Sequence, residues 1–338
     1  MVKIKETINE LIQKGFKLTI DDVIERNSIL YIMIKTSENN NDKLATEIEN
    51  AILKQLGQKT KVCFIQQSNQ EQKKQEKTQK LKKRIQGVKK VILICSGKGG
   101  VGKSTISSNI AYHMALAGYK VGLFDSDIYG PSIQKIFGID DEIKIKDGTF
   151  IPHEKFKVKL MSMGFIVQTG DALVWRGPMV SKTLHNMLMH TDWSHKNLFG
   201  IKSDLDCLII DSPPGTGDVH LSLSENYIID GAVVVSTPQE LSLANAHRSV
   251  DMLKKLDIKV LGVIENMAYI TNPDGSKNYI FGSGNIEKYA IENGLRMLAT
   301  IPIIPEISSS IDLDKIDYGK ATSEKFKELC DVLRRLIT

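Results

Sequence analysis

The sequence predicts a doubly wound, mostly parallel α/β sheet preceded by a small α/β N-terminal domain, and three observations carry that expectation. Residues 91–117 (VILICSGKGGVGKSTISSNIAYHMALA) read as an apolar strand, a glycine-rich loop and an amphipathic helix. Short apolar runs recur at 120–124 (KVGLF), 206–211 (DCLIID), 231–236 (GAVVVS) and 260–264 (VLGVI). Strands covered on both faces of a parallel sheet lose their polar alternation, and strand–helix alternation implies right-handed βαβ units. Finally, residues 68–86 (SNQEQKKQEKTQKLKKRIQ) are almost free of apolar side chains and cannot bury a core. The expected organisation is therefore a small domain over 1–67, a charged linker over 68–88 and a large domain over 89–338.

The elements follow in order. Ile4, Ile8, Leu11 and Ile12 share one helix face, 29–34 (ILYIMI) is a strand, 44–56 an amphipathic helix and 61–66 a strand, with NNND and Gly57 as turns. In the large domain, Ile106, Ile110, Met114 and Ala117 recur at helical spacing and Gly118 supplies a stop. Asp147-Gly148 and Pro152 predict a hairpin, 159–163 a short strand and 179–189 a helix whose methionines Met179, Met187 and Met189 suit packing. The terminal helix, over about 323–337, places Phe326, Leu329, Leu333 and Leu336 on one face and Lys325, Lys327, Arg334 and Arg335 elsewhere. Packing on the sheet is its expected fate, with membrane binding the alternative.

Composition sets bounds. The chain has 338 residues, 41 % hydrophobic and 25 % charged, which are globular values. A net charge of +5 does not argue for nucleic acid, so none is expected as a partner. No apolar run reaches the length of a membrane span, and the first residues lack the apolar core of a signal peptide, so membrane insertion is not expected. Cys63, Cys95, Cys207 and Cys330 are far apart, which suits a reducing, cytoplasmic setting and gives no zinc pattern. The seven histidines show no ligand spacing.

The chemistry begins with G-x-x-x-x-G-K-[ST], met here between a strand and a helix. Gly97, Gly99, Gly100 and Gly102, with Val101 between them, let the backbone turn its N–H groups around an anion. Lys103 reaches β and γ phosphates, Ser104 offers a hydroxyl to Mg²⁺, and Thr105 continues the motif at a helix N-terminus whose dipole favours negative charge. Asp125 and Asp127, at the end of the next strand, are spaced to orient an attacking water and hold the outer sphere of the metal. Asp211 ends another buried strand, as in a Walker B arrangement, and the following Ser212-Pro213-Pro214-Gly215-Thr216-Gly217 suits a phosphate-sensing turn. Asn266 follows a further strand, where an amide could pair with an adenine edge through donor and acceptor together.

Lys98 gives the loop a second lysine, G-K-G-G-V-G-K-S. That pattern resembles the deviant Walker A ATPases, among them the nitrogenase iron protein, MinD, ParA and the Mrp/ApbC proteins. The resemblance implies an ATP-sandwich homodimer in which Lys98 crosses to the partner's nucleotide, as an arginine finger does. D-x-D-x-x-G-P-S at 125–132, P-P-G-T-G at 213–217 and I-F-G-S-G at 280–284 are similar to the Mrp/ApbC branch in particular. Asn266 then matches that family's base-contacting asparagine, residues 301–305 resemble its base-covering loop, and W-R-G-P-M at 175–179 resembles a segment near its dimer interface. The branch implies a cytoplasmic, homodimeric, Mg²⁺-dependent ATPase of slow turnover. It also implies a [4Fe–4S] cluster carried to apo iron–sulfur proteins with assembly factors as partners, and an N-terminal domain of iron–sulfur assembly type. The family's cluster site uses a C-x-x-C pair after the E-N-M strand, and here Thr271 and Asp274 stand at those positions. Cluster iron is held chiefly by thiolates, so the cluster remains an open expectation. The alternative is a MinD/ParA-like switch that uses nucleotide-gated dimerisation to act on membrane or DNA without a cluster.

Overall fold

The computed structural model describes residues 19–26, 29–36, 46, 48–50, 52–54, 57, 59–66, 82–166, 177–196, 202–304 and 319–337. Two compact units emerge, Met1–Lys80 and Leu81–Thr338. In the first, β1 (Thr19–Arg26) pairs antiparallel with β2 (Ile29–Thr36), which pairs in parallel with β3 (Thr60–Gln66). The described residues between β2 and β3 include a helical stretch with Ile48 and Ile52 buried one turn apart. Glu49 Oε1 accepts from the Val62 amide at 2.7 Å and ties that stretch to β3. Strand β1 was not expected from the sequence. Its apolar residues Ile20, Val23 and Ile24 have helical spacing because a bulge between Ile20 and Asp22 breaks the alternation of a strand. The helix expected around residues 4–12 and most of the charged tract lie outside the described residues.

The second unit runs β4 (Val91–Cys95), α1 (Lys103–Leu116), β5 (Val121–Asp125), α2 (Ile133–Ile136), the hairpin β6 (Lys144–Lys146) and β7 (Thr149–Ile151), β8 (His153–Lys155), β9 (Val158–Ser162) and α3 (Gly177–Met189). It continues with the pair β10 (His195–Lys196) and β11 (Lys202–Ser203), β12 (Cys207–Asp211), α4 (Asp218–Asn226), β13 (Gly231–Ser236), α5 (Glu240–Lys255) and β14 (Val260–Glu265). The hairpin β15 (Ile270–Thr271) and β16 (Lys277–Asn278), α6 (Asn285–Glu292), β17 (Met297–Thr300) and α7 (Gly319–Ile337) complete it. Eight strands form one sheet in the order β17-β14-β13-β4-β12-β5-β9-β8, parallel throughout except for β8 against β9.

The continuous apolar runs have their explanation in two cores. Val91, Leu93 and Cys95 of β4 face the core covered by α3, α4, α5 and α6, whereas Ile92 and Ile94 face the core covered by α1 and α7. Alternate residues are buried on opposite faces, so no position is left for a polar side chain. The tight hairpin at Asp147-Gly148 also forms, with both residues at positive φ (50° and 74°). Lys83–Val88, assigned by composition to the linker, instead belong to this unit: Ile85 and Val88 are buried, and Lys83 exchanges backbone bonds with Asn226 and Ile228. Those two apolar residues outweigh the surrounding charge. Helix α7 packs as expected, burying Phe326, Leu329 and Leu333, with Phe326 stacked on His113 of α1 at 5.1 Å. Among the described residues no helix is long and apolar enough to cross a membrane.

Candidate nucleotide site

The site lies at the carboxyl end of β4, where the strand order reverses and an open α/β sheet leaves a crevice. Two glycines show why the loop needs their type. Gly102 caps α1 at φ 80°, and a Cβ there would lie 2.3 Å from Asn266 Nδ2. A Cβ on Gly97 would lie 2.1 Å from the Asn245 carbonyl, so the loop is seated directly on α5. The loop from Lys98 to Thr105, with Asp127 and Ser132 opposite, encloses a cavity of about 280 Å³.

Beneath it lies a buried ion pair. Lys103 Nζ donates to Asp211 Oδ1 at 2.7 Å, and Ser107 Oγ donates to the same oxygen at 2.7 Å. The lysine is 6 % exposed and the aspartate 0 %. Asp211 Oδ2 is buried with no hydrogen-bond partner, and Ser104 Oγ lies 3.4 Å from the Lys103 ammonium. A buried carboxylate with one unsatisfied oxygen and a P-loop hydroxyl, both next to the Lys103 ammonium, form a donor set that suits a hard cation or its bound water, so these residues fit Mg²⁺.

The two acids after β5 separate in character. Asp125 is fully buried; its Oδ1 accepts from the Asp127 amide (3.0 Å), and its Oδ2 accepts from the amides of Ser132 (3.0 Å) and Ile133 (3.3 Å) and from Ser162 Oγ (3.2 Å). Burial, and then the charge of Asp211, push its pKa up to about 7. Both oxygens are thus engaged by the turn that follows, and the acid of the pair that lines the cavity is Asp127. Lys98 Nζ donates to Gln239 Oε1 of its own chain at 3.1 Å. Asn266 Nδ2 donates to the Val101 carbonyl at 2.9 Å, so its amide braces the loop. The turn at 212–217 starts with Ser212, whose amide and Oγ both donate to the Ile94 carbonyl, and Gly215 donates its amide to the Ser96 carbonyl.

Sequence reasoning missed His220. It is fully buried on α4, 3.0 Å from Ser212 Oγ, and only its position within an unremarkable stretch, DVHLSL, was visible in the sequence.

The expected cluster positions form a closed turn. Thr271 pairs with Lys277 across the hairpin, and Asp274 Oδ1 accepts from Ser276 N (2.8 Å) and Ser276 Oγ (2.6 Å), which holds its pKa below the usual value. Among the described residues no group of three His, Cys, Asp or Glu could hold a metal ion. Cys95, Cys207 and Cys330 are buried and free. Burial pushes Cys95 and Cys330 up to about 12 and raises Cys207 as well, so none is a ready thiolate. These residues do not fit an iron–sulfur cluster.

A family model described as ParA, NUBPL iron-transfer P-loop NTPase, matches residues 87–337. An iron-sulfur cluster carrier protein of Rickettsia felis is 41 % identical over 297 residues, 88 % of this chain and 87 % of the relative. An Arabidopsis thaliana protein, the iron-sulfur protein required for NADH dehydrogenase, mitochondrial, is 40 % identical over 232 residues, 68 % of this chain and 71 % of the relative. A nucleotide-binding protein from Archaeoglobus fulgidus, solved in complex with ADP, is 32 % identical with a TM-score of 0.60, over 72 % of this chain and 93 % of that one. With its P-loop, paired lysine and Walker B acid set on the central strands of this sheet, the chain belongs to the NUBPL iron-transfer family of P-loop NTPases.

Proposed function

We propose that the chain is a Mg²⁺-dependent ATPase that carries iron–sulfur clusters to apoproteins as a homodimer, and that it does so without a C-x-x-C pair in its hairpin. The observation that carries the nucleotide chemistry is the Lys103–Asp211 pair with one carboxylate oxygen left over. Lys103 exchanges Asp211 for the β and γ phosphates, whose charge it neutralises. Ser104, with Asp211 Oδ2 behind it, would hold Mg²⁺ and its water, and the metal supplies charge neutralisation at the phosphates when bound. Asp127, facing the cavity, positions the attacking water, while Asp125 fixes the turn that presents Asp127. Lys98 leaves Gln239 to serve a second copy's nucleotide. Asn266 keeps a second N–H and its carbonyl for the adenine edge.

The cluster is cargo in this reading, and apo iron–sulfur proteins and assembly factors are the partners. The names of the relatives support the cargo; the hairpin residues do not. Anaerobic reconstitution with iron and sulfide, followed by absorption and metal counting, decides the matter. Bound iron that is handed to an apoprotein supports the carrier role, whereas zero iron at every protein concentration removes it as a direct activity. The closed turn at Thr271–Asp274 would then favour a nucleotide-gated switch of the MinD/ParA kind, which predicts ATP-dependent sedimentation with liposomes or DNA.

A further inference from the structure

Helix α4, which follows the 212–217 turn, carries a buried imidazole that none of the nucleotide-site roles uses. Ser212 Oγ lies 2.8 Å from the Ile94 carbonyl and 3.0 Å from His220 Nε2, so one hydroxyl joins the turn both to β4 and to the ring. Nδ1 is buried, and the Gly217 backbone at the start of α4 also holds the ring. Burial, and then the nearby Lys103 ammonium, hold the ring down at about 4, which keeps it neutral.

The placement joins the P-loop to a helix. Lys103 is bonded to Asp211, Ser212 follows Asp211 in the chain, and His220 bonds Ser212 from the first turn of α4. The intervening turn is tied separately, by Ser212 to Ile94 and by Gly215 to Ser96. A phosphate that draws Lys103 away from Asp211 disturbs one end of this run, and α4 forms the other. We propose that His220 is the positioning residue that makes α4 follow the 212–217 turn when nucleotide binds. The inference rests on the chain's reading as a nucleotide hydrolase, so its test includes a readout that does not need turnover.

Hydrogen exchange is measured on the full chain with and without Mg²⁺ and a non-hydrolysable ATP analogue, alongside kcat and KM for ATP. In the unaltered protein the turn at 213–217 and helix α4 gain protection together. In His220→Leu the turn still responds, the response of α4 falls to less than about a third, and kcat drops about tenfold with KM within about twofold. His220→Gln, whose amide can bond the Ser212 hydroxyl as donor or acceptor, restores both to within about threefold. Ser212→Ala, which removes the hydroxyl and leaves the ring in place, reproduces the leucine variant. An α4 response that persists in either His220→Leu or Ser212→Ala overturns the proposal, as does a glutamine variant as impaired as the leucine one. If the unaltered chain transmits protection to α4 but releases no phosphate, the hydrolase reading falls and the role of His220 stands.

Discussion

Asp211 performs two unlike tasks with its two oxygens, one neutralising Lys103 and one left without a partner. Removing one member of a buried pair leaves the other charge uncompensated, at about 3–5 kcal/mol. Asp211→Asn keeps the volume and removes the charge, so the variant should melt earlier than the unaltered protein. The stranded ammonium then becomes a better seat for phosphate, and ADP without metal should raise the melting temperature more in the variant than in the parent. Thermal melts at matched ADP concentrations check this, and an equal or smaller shift in Asp211→Asn would refute the account of the pair. This part of the site was legible in the sequence, because G-x-x-x-x-G-K-S and an acid ending a buried strand are chemistry that dictates residue type and spacing. The division between Asp125 and Asp127 was not, since an i, i+2 spacing does not say which carboxylate the following turn will take for its own amides. His220 was less visible still, because a buried histidine is identified by the hydroxyl it meets, here Ser212, eight residues away and on the far side of a turn.

Among the elements, the hairpin β15–β16 stands where the resemblance to the Mrp/ApbC proteins implied a pair of cluster thiolates, and it has none. Its turn is closed by Asp274 on Ser276 and by the backbone bond from Asn272 to Ser276, so it needs no metal to hold its shape. Two thiols at Thr271 and Asp274 would recreate a C-x-x-C pair on an exposed turn, where cysteine is more easily ionised than at the three buried positions. Thr271→Cys combined with Asp274→Cys should therefore gain iron on anaerobic reconstitution relative to the parent, while loosening the turn by removing the Ser276 bonds. Metal counting on the two proteins side by side is the measurement; no gain in the double variant would mean that the turn cannot present both sulfurs. Elements differ in the same way in how readable they were. Strands β4, β12, β13 and β14 were legible because burial on both faces leaves an unbroken apolar run. Strand β1 was hidden by its bulge, and the four-residue β17, half-buried at the sheet edge, has too little pattern to register.

At the scale of the molecule, parallel strands deliver β5, β12 and β13 to the same edge, and the residues just beyond them include Tyr129 (71 % exposed), Leu221 (46 %) and Leu241 (68 %). Large exposed apolar side chains beyond that edge suit a self-complementary contact with a second copy, which is also what Lys98 requires. The chain's own geometry offers a competing arrangement, because Lys98 lines its own cavity and bonds its own Gln239. Mixing two inactive variants separates the two. Lys98→Ala lacks the lysine proposed to act across the interface, and Lys103→Ala lacks the one that acts within its chain. In a mixed dimer one site combines an intact Lys103 with the partner's intact Lys98, and the other site has neither. Equal amounts of the two proteins, exchanging freely, form heterodimers in about half of the pairs, each with one working site of two, so phosphate release should recover to about a quarter of the unaltered rate. Each variant alone should release almost none. If Lys98 serves only its own chain, the mixture stays as inactive as its parts, and the arrangement held by Gln239 is the working one.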